Sequence, residues 1–206
     1  MAEQTRQQLR DERRQRIDAR AQIEAGRDRR RRRQAILRVA IPVGIGVLIL
    51  AAILFVAVQE ATAPPPGDAF PLEGTSHVEP GVPINYPNYP PTSGTHFNTW
   101  ARYGFSETPV DPGFWVHNLE HGYVAILYKC PADCTRLKQQ LKDLYASLAP
   151  SVRYRYVKAV IAPDDGIDTP LVALAWGRRL KLDGYDDSQL RRFYQSFVDK
   201  GPEDAP

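Results

Sequence analysis

Sulfur and imidazole are both scarce in this sequence. Met1 is the only methionine among 206 residues, so no methionine is left for a copper site in the folded part of the chain. Cys130 and Cys134 are the only cysteines, which limits the chain to one internal disulfide. Histidine occurs four times and nowhere outside positions 77 to 121. Charge is missing from residues 39–58, lysine from residues 1–38, and no internal repeat is present. These gaps divide the chain into unlike pieces, so whole-chain averages say little.

Residues 1–38 carry thirteen arginines against six acidic residues, a local charge of +7. The whole chain is +3, so the remainder carries −4 and the positive balance belongs to the tail. Before Arg27 its only large apolar residues are Leu9, Ile17 and Ile23, too few to build a core, and the composition is that of a disordered segment. Residues 39–58, "VAIPVGIGVLILAAILFVAV", span the ~30 Å hydrocarbon core at about 1.5 Å per residue, and a transmembrane helix is expected there. Pro42 falls in its first turn, where a missing N–H does little harm. "ATA" at 61–63 imitates a signal-peptidase site, but a cleaved signal has a shorter basic region and a shorter apolar run, so an uncleaved anchor is expected. The arginines from Arg27 to Arg38 should stay cytoplasmic, which leaves the chain after residue 58 outside. The same run suits anionic lipid headgroups. Nucleic acid is not an expected partner, since neither a folded basic surface nor stacking aromatics accompanies the run.

Residues 59–70 form a linker stiffened by Pro64, Pro65 and Pro66, and residues 71–203 are enough for one compact extracytoplasmic domain. From 71 to 115 the many prolines oppose a long helix or central strand, and a loop system wrapping the rest of the domain is expected. Its aromatics, among them Tyr86, Tyr89, Phe97, Trp100, Tyr103 and Trp115, serve either to pin that irregular backbone or as a sugar-binding platform. Beyond it the patterning becomes regular. "GYVAILYK" predicts a buried strand; "PADCTRLKQQLKDLYASL" predicts a helix with Leu137, Leu141, Leu144 and Leu148 on one face; "VRYRYVKAVIA" predicts the next strand. A strand over "TPLVALAW", a tight turn at Gly177, a hairpin partner and a closing helix capped by Asp186 or Asp187 follow. The fold class is therefore α/β, and the element order resembles the C-terminal portion of the thioredoxin fold. That likeness implies a cis bond at Pro170. The Cys-x-x-x-Cys spacing and the lack of a helix before the hairpin depart from it.

All four histidines, His77, His96, His117 and His121, lie in one stretch together with Glu79 and Glu120. Such clustering points to a shared metal or proton-handling site. In "HNLEH" two imidazoles are four apart, on one face of a helical turn, with Glu120 beside them. The same letters match the inverted zinc-peptidase motif, whose glutamate is a general base. Pro112, Gly113 and Gly122 leave room for about two turns, shorter than such enzymes use, so metal binding without hydrolysis is preferred and the balance leans away from an enzyme. Asp164, Asp165 and Asp168 lack the terminal glutamate of a calcium loop and read as an acidic turn.

The pieces "HVEPGVPINYPNYPPTSGTHFNTWARYG", "VHNLEHGYVAILY", "VIAPDDGIDTPLVALAWGRRLKLDGYD" and the closing "GPE" resemble a bacterial envelope family known as domain of unknown function 3105, over nearly all of residues 71–203. The resemblance implies a domain anchored in the bacterial inner membrane with no assigned reaction. It points to His77, Glu79, Ser93, His96, His117, Glu120 and His121, and the cysteines are not part of its pattern. Three functions stay open. One is copper or zinc binding at the histidine cluster. Another is thiol–disulfide exchange or copper transfer through Cys130 and Cys134, which otherwise form a structural disulfide. The last is a non-catalytic envelope module that meets an unidentified protein partner.

Overall fold

The computed structural model describes residues 27, 29–34, 36, 38, 40–59 and 64–206. The tail before residue 27, expected to be disordered, and the linker residues 60–63 lie outside the described residues. The chain forms two compact units, Met1–Ala63 and Pro64–Pro206. In the first, helix α1 (Ala40–Gln59) has twenty residues and a mean hydropathy of 2.9, long and apolar enough to cross a membrane. Ile45, Leu48 and Phe55 are all exposed along it, so its apolar side chains lie open among the described residues.

The second unit opens with four two-residue strands: β1 (Asp68–Ala69), β2 (His77–Val78), β3 (His96–Phe97) and β4 (Gly104–Phe105). Helix α2 (Pro112–Glu120), β5 (Val124–Tyr128), α3 (Thr135–Ser147), β6 (Ala159–Pro163), β7 (Leu171–Ala175), β8 (Arg178–Leu182) and α4 (Asp187–Phe197) follow. Six strands form one sheet in the order β1-β8-β7-β5-β6-β4. In it β4 and β5 run parallel to β6, whereas β7 is antiparallel to both β5 and β8. The remaining two strands, β2 and β3, make a separate parallel pair in which His77 stands opposite His96 and Val78 opposite Phe97.

The apolar run of β5 is explained by burial on both faces. Val124, Ile126 and Tyr128 face Leu141, Leu144, Leu190 and Phe193 of α3 and α4, while Ala125 and Leu127 face Trp115, Val116 and Leu119 of α2. The sheet thus lies between α2 on one side and α3 with α4 on the other. Leu141, Leu144 and Leu148 are buried and Leu137 is partly buried on the same side, as their helical spacing requires. Asp111 caps α2 by accepting from Gly113 N at 2.8 Å, with Pro112 at the first helical position, where its missing N–H costs nothing. Asp186 caps α4 by accepting from Gln189 N at 3.0 Å.

Two expectations are corrected. The strand expected over residues 152–162 is confined to Ala159–Pro163, because the chain first turns back on itself. There Ser151 N donates to Tyr156 O at 2.8 Å, and Arg155 takes a left-handed φ of 68°, which no strand accommodates. Pro170 is not cis: among the described residues the cis bond is Tyr89–Pro90. Instead the Pro170 carbonyl accepts from Lys129 N at 2.9 Å and lengthens the ladder between β5 and β7.

Candidate metal centre

Two local structures bring the histidines together. The β2–β3 pair sets His77 beside His96, with their Nε2 atoms 3.1 Å apart. His117 and Glu120 lie in α2 and His121 caps its C-terminus, so helical periodicity puts the two imidazoles on one face with Nε2 atoms 3.1 Å apart. The side chain of Asn118 then locks the chain after β3 onto α2, accepting from Ala101 N at 2.8 Å and donating to Ala101 O at 3.1 Å. Glu120 closes the gap between the two halves. Its Oε2 is 2.9 Å from His96 Nε2 and 3.3 Å from His77 Nε2. The rings of His77 and His96 are each centred 5.0 Å from that of His117. Two overlapping groups, His77 with His96 and His117, and His117 with Glu120 and His121, each present three ligand atoms within 4.8 Å of one another.

The outer ring nitrogens determine what the inner ones offer. His96 Nδ1 is 2.7 Å from Gly94 O and His117 Nδ1 is 2.6 Å from Phe97 O. A carbonyl only accepts, so each Nδ1 carries a proton, and in the neutral imidazole each Nε2 is left with a lone pair toward the centre. Carboxylate and imidazole lone pairs therefore face one another at 2.9 to 3.3 Å, a distance that needs a cation or shared protons between them. Donors bound to one ion at about 2.1 Å sit ~3.0 Å apart at adjacent octahedral corners and ~3.4 Å apart at tetrahedral ones, and the spacings within each half, 2.9 to 3.3 Å, lie close to those values. Burial pushes the His117 and His121 imidazoles below their ordinary pKa, against the Phe97 carbonyl at His117 and the Glu203 carboxylate at His121. Neutral imidazole is the form that binds a metal. Trp100 walls the site, its ring 5.4 Å from those of both His117 and His121.

The other candidates lie apart. Glu79 accepts from Asn98 Nδ2 at 2.6 Å and belongs to neither ligand group. Ser93 is buried and accepts from Glu73 N at 2.9 Å, holding the loop before β2. Cys130 and Cys134 are disulfide-bonded where β5 leaves for α3. His121 precedes β5 and Cys130 follows it, so the five-residue strand, about 16 Å long at ~3.3 Å per residue, separates the two sites. The pair cannot share an ion with the imidazoles. Glu120 is engaged by His96 and His77, unlike a peptidase base held free for water. Sequence reasoning missed Glu203, whose Oε2 lies 3.3 Å from His121 Nε2, because 82 residues of chain separate the two.

No curated protein and no solved structure matches the chain. The family described as "Protein of unknown function (DUF3105)" matches residues 77–206, from the first histidine onward and more than half of the chain. The chain therefore belongs to that family, and its shared segment is the one that holds the histidine cluster.

Proposed function

We propose that this chain is a single-pass membrane protein whose extracytoplasmic domain holds one transition-metal ion, copper or zinc, on His77, His96, His117, His121 and Glu120, and that it serves storage, delivery or sensing of the metal. The observation that carries this reading is that four imidazoles and a carboxylate form two ligand groups joined at His117, with donors 2.9 to 3.3 Å apart within each half and His96 and His117 oriented by main-chain carbonyls. Metal-ligating histidines are held in this way by second-shell acceptors. The two ligand groups share His117, whose Nδ1 is committed to Phe97, so its one remaining lone pair serves a single ion. Imidazole and carboxylate without thiolate or thioether favour a divalent ion over Cu(I).

Charge supports the orientation. The arginine-rich tail is +7 and the rest of the chain −4, which retains the tail in the cytoplasm against anionic headgroups at the inner membrane. The disulfide supports an oxidising compartment for the domain. The sheet order, with two parallel pairings followed by an antiparallel hairpin and a helix joining β5 to β6, supports a thioredoxin-like reading of its core. Thiol–disulfide exchange is the second reading. It is favoured by the position of Cys134 at the N-cap of α3, where the helix dipole stabilises a thiolate.

The test is metal content by plasma mass spectrometry on the full-length chain in detergent, beside a His117→Ala/His121→Ala variant. One equivalent of copper or zinc in the wild type, lost in the variant, is the expected result. A wild-type chain that stays metal-free after incubation with Cu2+ and with Zn2+ overturns the reading.

A further inference from the structure

Beyond the last helix the chain returns to the C-terminus of α2 and is fixed there at several points. Asp199 N donates to Gly122 O at 2.9 Å and Glu203 N to Glu120 O at 3.1 Å. Two glycines permit this approach. Gly122 has a φ of 76°, and a Cβ on it would meet the backbone of Asp199, Lys200 and Gly201; a Cβ on Gly201 would collide with Glu120 O. Farther along, Tyr154 OH donates to Asp204 Oδ1 at 2.8 Å, Arg153 pairs with the other Asp204 oxygen, and the buried Lys158 Nζ donates to Ala205 O at 2.9 Å. A cavity of about 490 Å³ lies between this strap and the domain, and His121 and Glu203 are in its wall.

We infer that Glu203 is a further ligand of the metal, so that ion binding fastens residues 199–206 over the site. This rests on the metal-binding reading above. Glu203 Oε2 stands 3.3 Å from His121 Nε2, the spacing already seen between Glu120 and His77 and one that suits two donors on one ion. The backbone bond from Glu203 to Glu120 brings both carboxylates to the same helix end, one from inside the domain and one from its surface. Glu120 is buried beside two histidines, whereas the Glu203 side chain is 54% exposed and has only His121 as an ionisable partner among the described residues. Glu203 is thus the ligand that can leave and return. With Glu203 away, the ion keeps its imidazoles and gains an open position facing the cavity. A ligand from a partner protein, or a water, enters there. Metal delivery requires such a step, in which one donor is exchanged for another without release of the free ion.

The experiment compares the full-length wild type with Glu203→Gln in detergent, using Zn2+ for affinity by chelator competition and Co2+ as a spectroscopic probe of coordination. Backbone hydrogen exchange over residues 199–205 is followed with and without Zn2+. The expected result is one Zn2+ bound by both proteins, about ten- to hundredfold more weakly by Glu203→Gln, the loss that even an outer-shell partner causes. The Co2+ visible spectrum shifts between the two proteins, and Zn2+ slows exchange in the strap of the wild type but not of the variant. Equal Zn2+ affinity, the same Co2+ spectrum and strap exchange unaffected by metal overturn the inference while leaving the metal site intact. A wild type that takes up none of Zn2+, Co2+ and Cu2+ in stoichiometric amount overturns both.

Discussion

His96 and His117 each commit one ring nitrogen to a main-chain carbonyl, those of Gly94 and Phe97, and the remaining lone pairs define the site. The same principle, a buried polar group kept in one protonation state by its partner, governs the tyrosines of the core. Tyr128 OH donates to Ser106 O at 3.2 Å and Tyr194 OH to Ala149 O at 3.0 Å, and burial pushes both phenols up to about 12. An acid that holds its proton more tightly when folded adds stability that is complete below the ordinary tyrosine pKa of about 10 and is lost as pH rises through the folded value. These two phenols should therefore add no pH dependence below about 10 and should destabilise the domain between about 10 and 12. Absorbance of tyrosinate followed together with circular dichroism checks this. Buried phenols should ionise only as the fold is lost, and full ionisation of a still-folded domain near pH 10 would contradict it.

At the scale of elements, α2 and the β2–β3 pair build the histidine cluster, while β5 keeps the disulfide at its far end. Replacing both cysteines, Cys130→Ser with Cys134→Ser, opens a loop of sequence separation 4 and should cost about 2 kcal/mol of stability by the chain-entropy relation. Metal stoichiometry should stay unchanged, because about 16 Å of strand intervenes. Thermal melts and metal analysis of the double variant check both parts, and loss of the metal would return the cysteines to the site. The element-level reading of the sequence succeeded where periodicity was strong. The leucines of α3, the apolar run of β5 and the aspartate cap of α4 each follow from spacing and local hydrogen bonding. It failed between 152 and 158, where the alternating apolar residues read as strand but a left-handed Arg155 and the Ser151–Tyr156 bond form a turn. Alternation reports which side chains can share a face, and it does not report whether a neighbouring strand is available.

For the whole molecule, charge asymmetry is the feature on which the proposed orientation rests. Replacing Arg29, Arg30, Arg31, Arg32 and Arg33 with glutamine removes five of the thirteen positive charges of the tail. The altered chain should insert in mixed orientation, since basic residues within about 15–20 positions of a membrane helix determine which end is retained. Protease added to intact spheroplasts checks this. It should digest the folded domain of nearly all wild-type chains and of only a fraction of the variant, and equal digestion of both would show that other features orient the helix.

The sequence alone determined the division of the chain, because a charge-free run, an arginine block and a proline cluster are properties of composition. It also picked out the four histidines that the fold brings together and the helical half of their cluster, since positions four apart share a helix face without help from tertiary contacts. Tertiary structure decided the rest. The pairing of His77 with His96 depends on a two-residue parallel ladder that has no pattern of its own. The turn of Glu79 to Asn98 and the arrival of Glu203 beside His121 depend on where distant backbone packs. Coordination is a matter of a few ångströms between side chains far apart in sequence, and only the folded backbone sets distances of that kind.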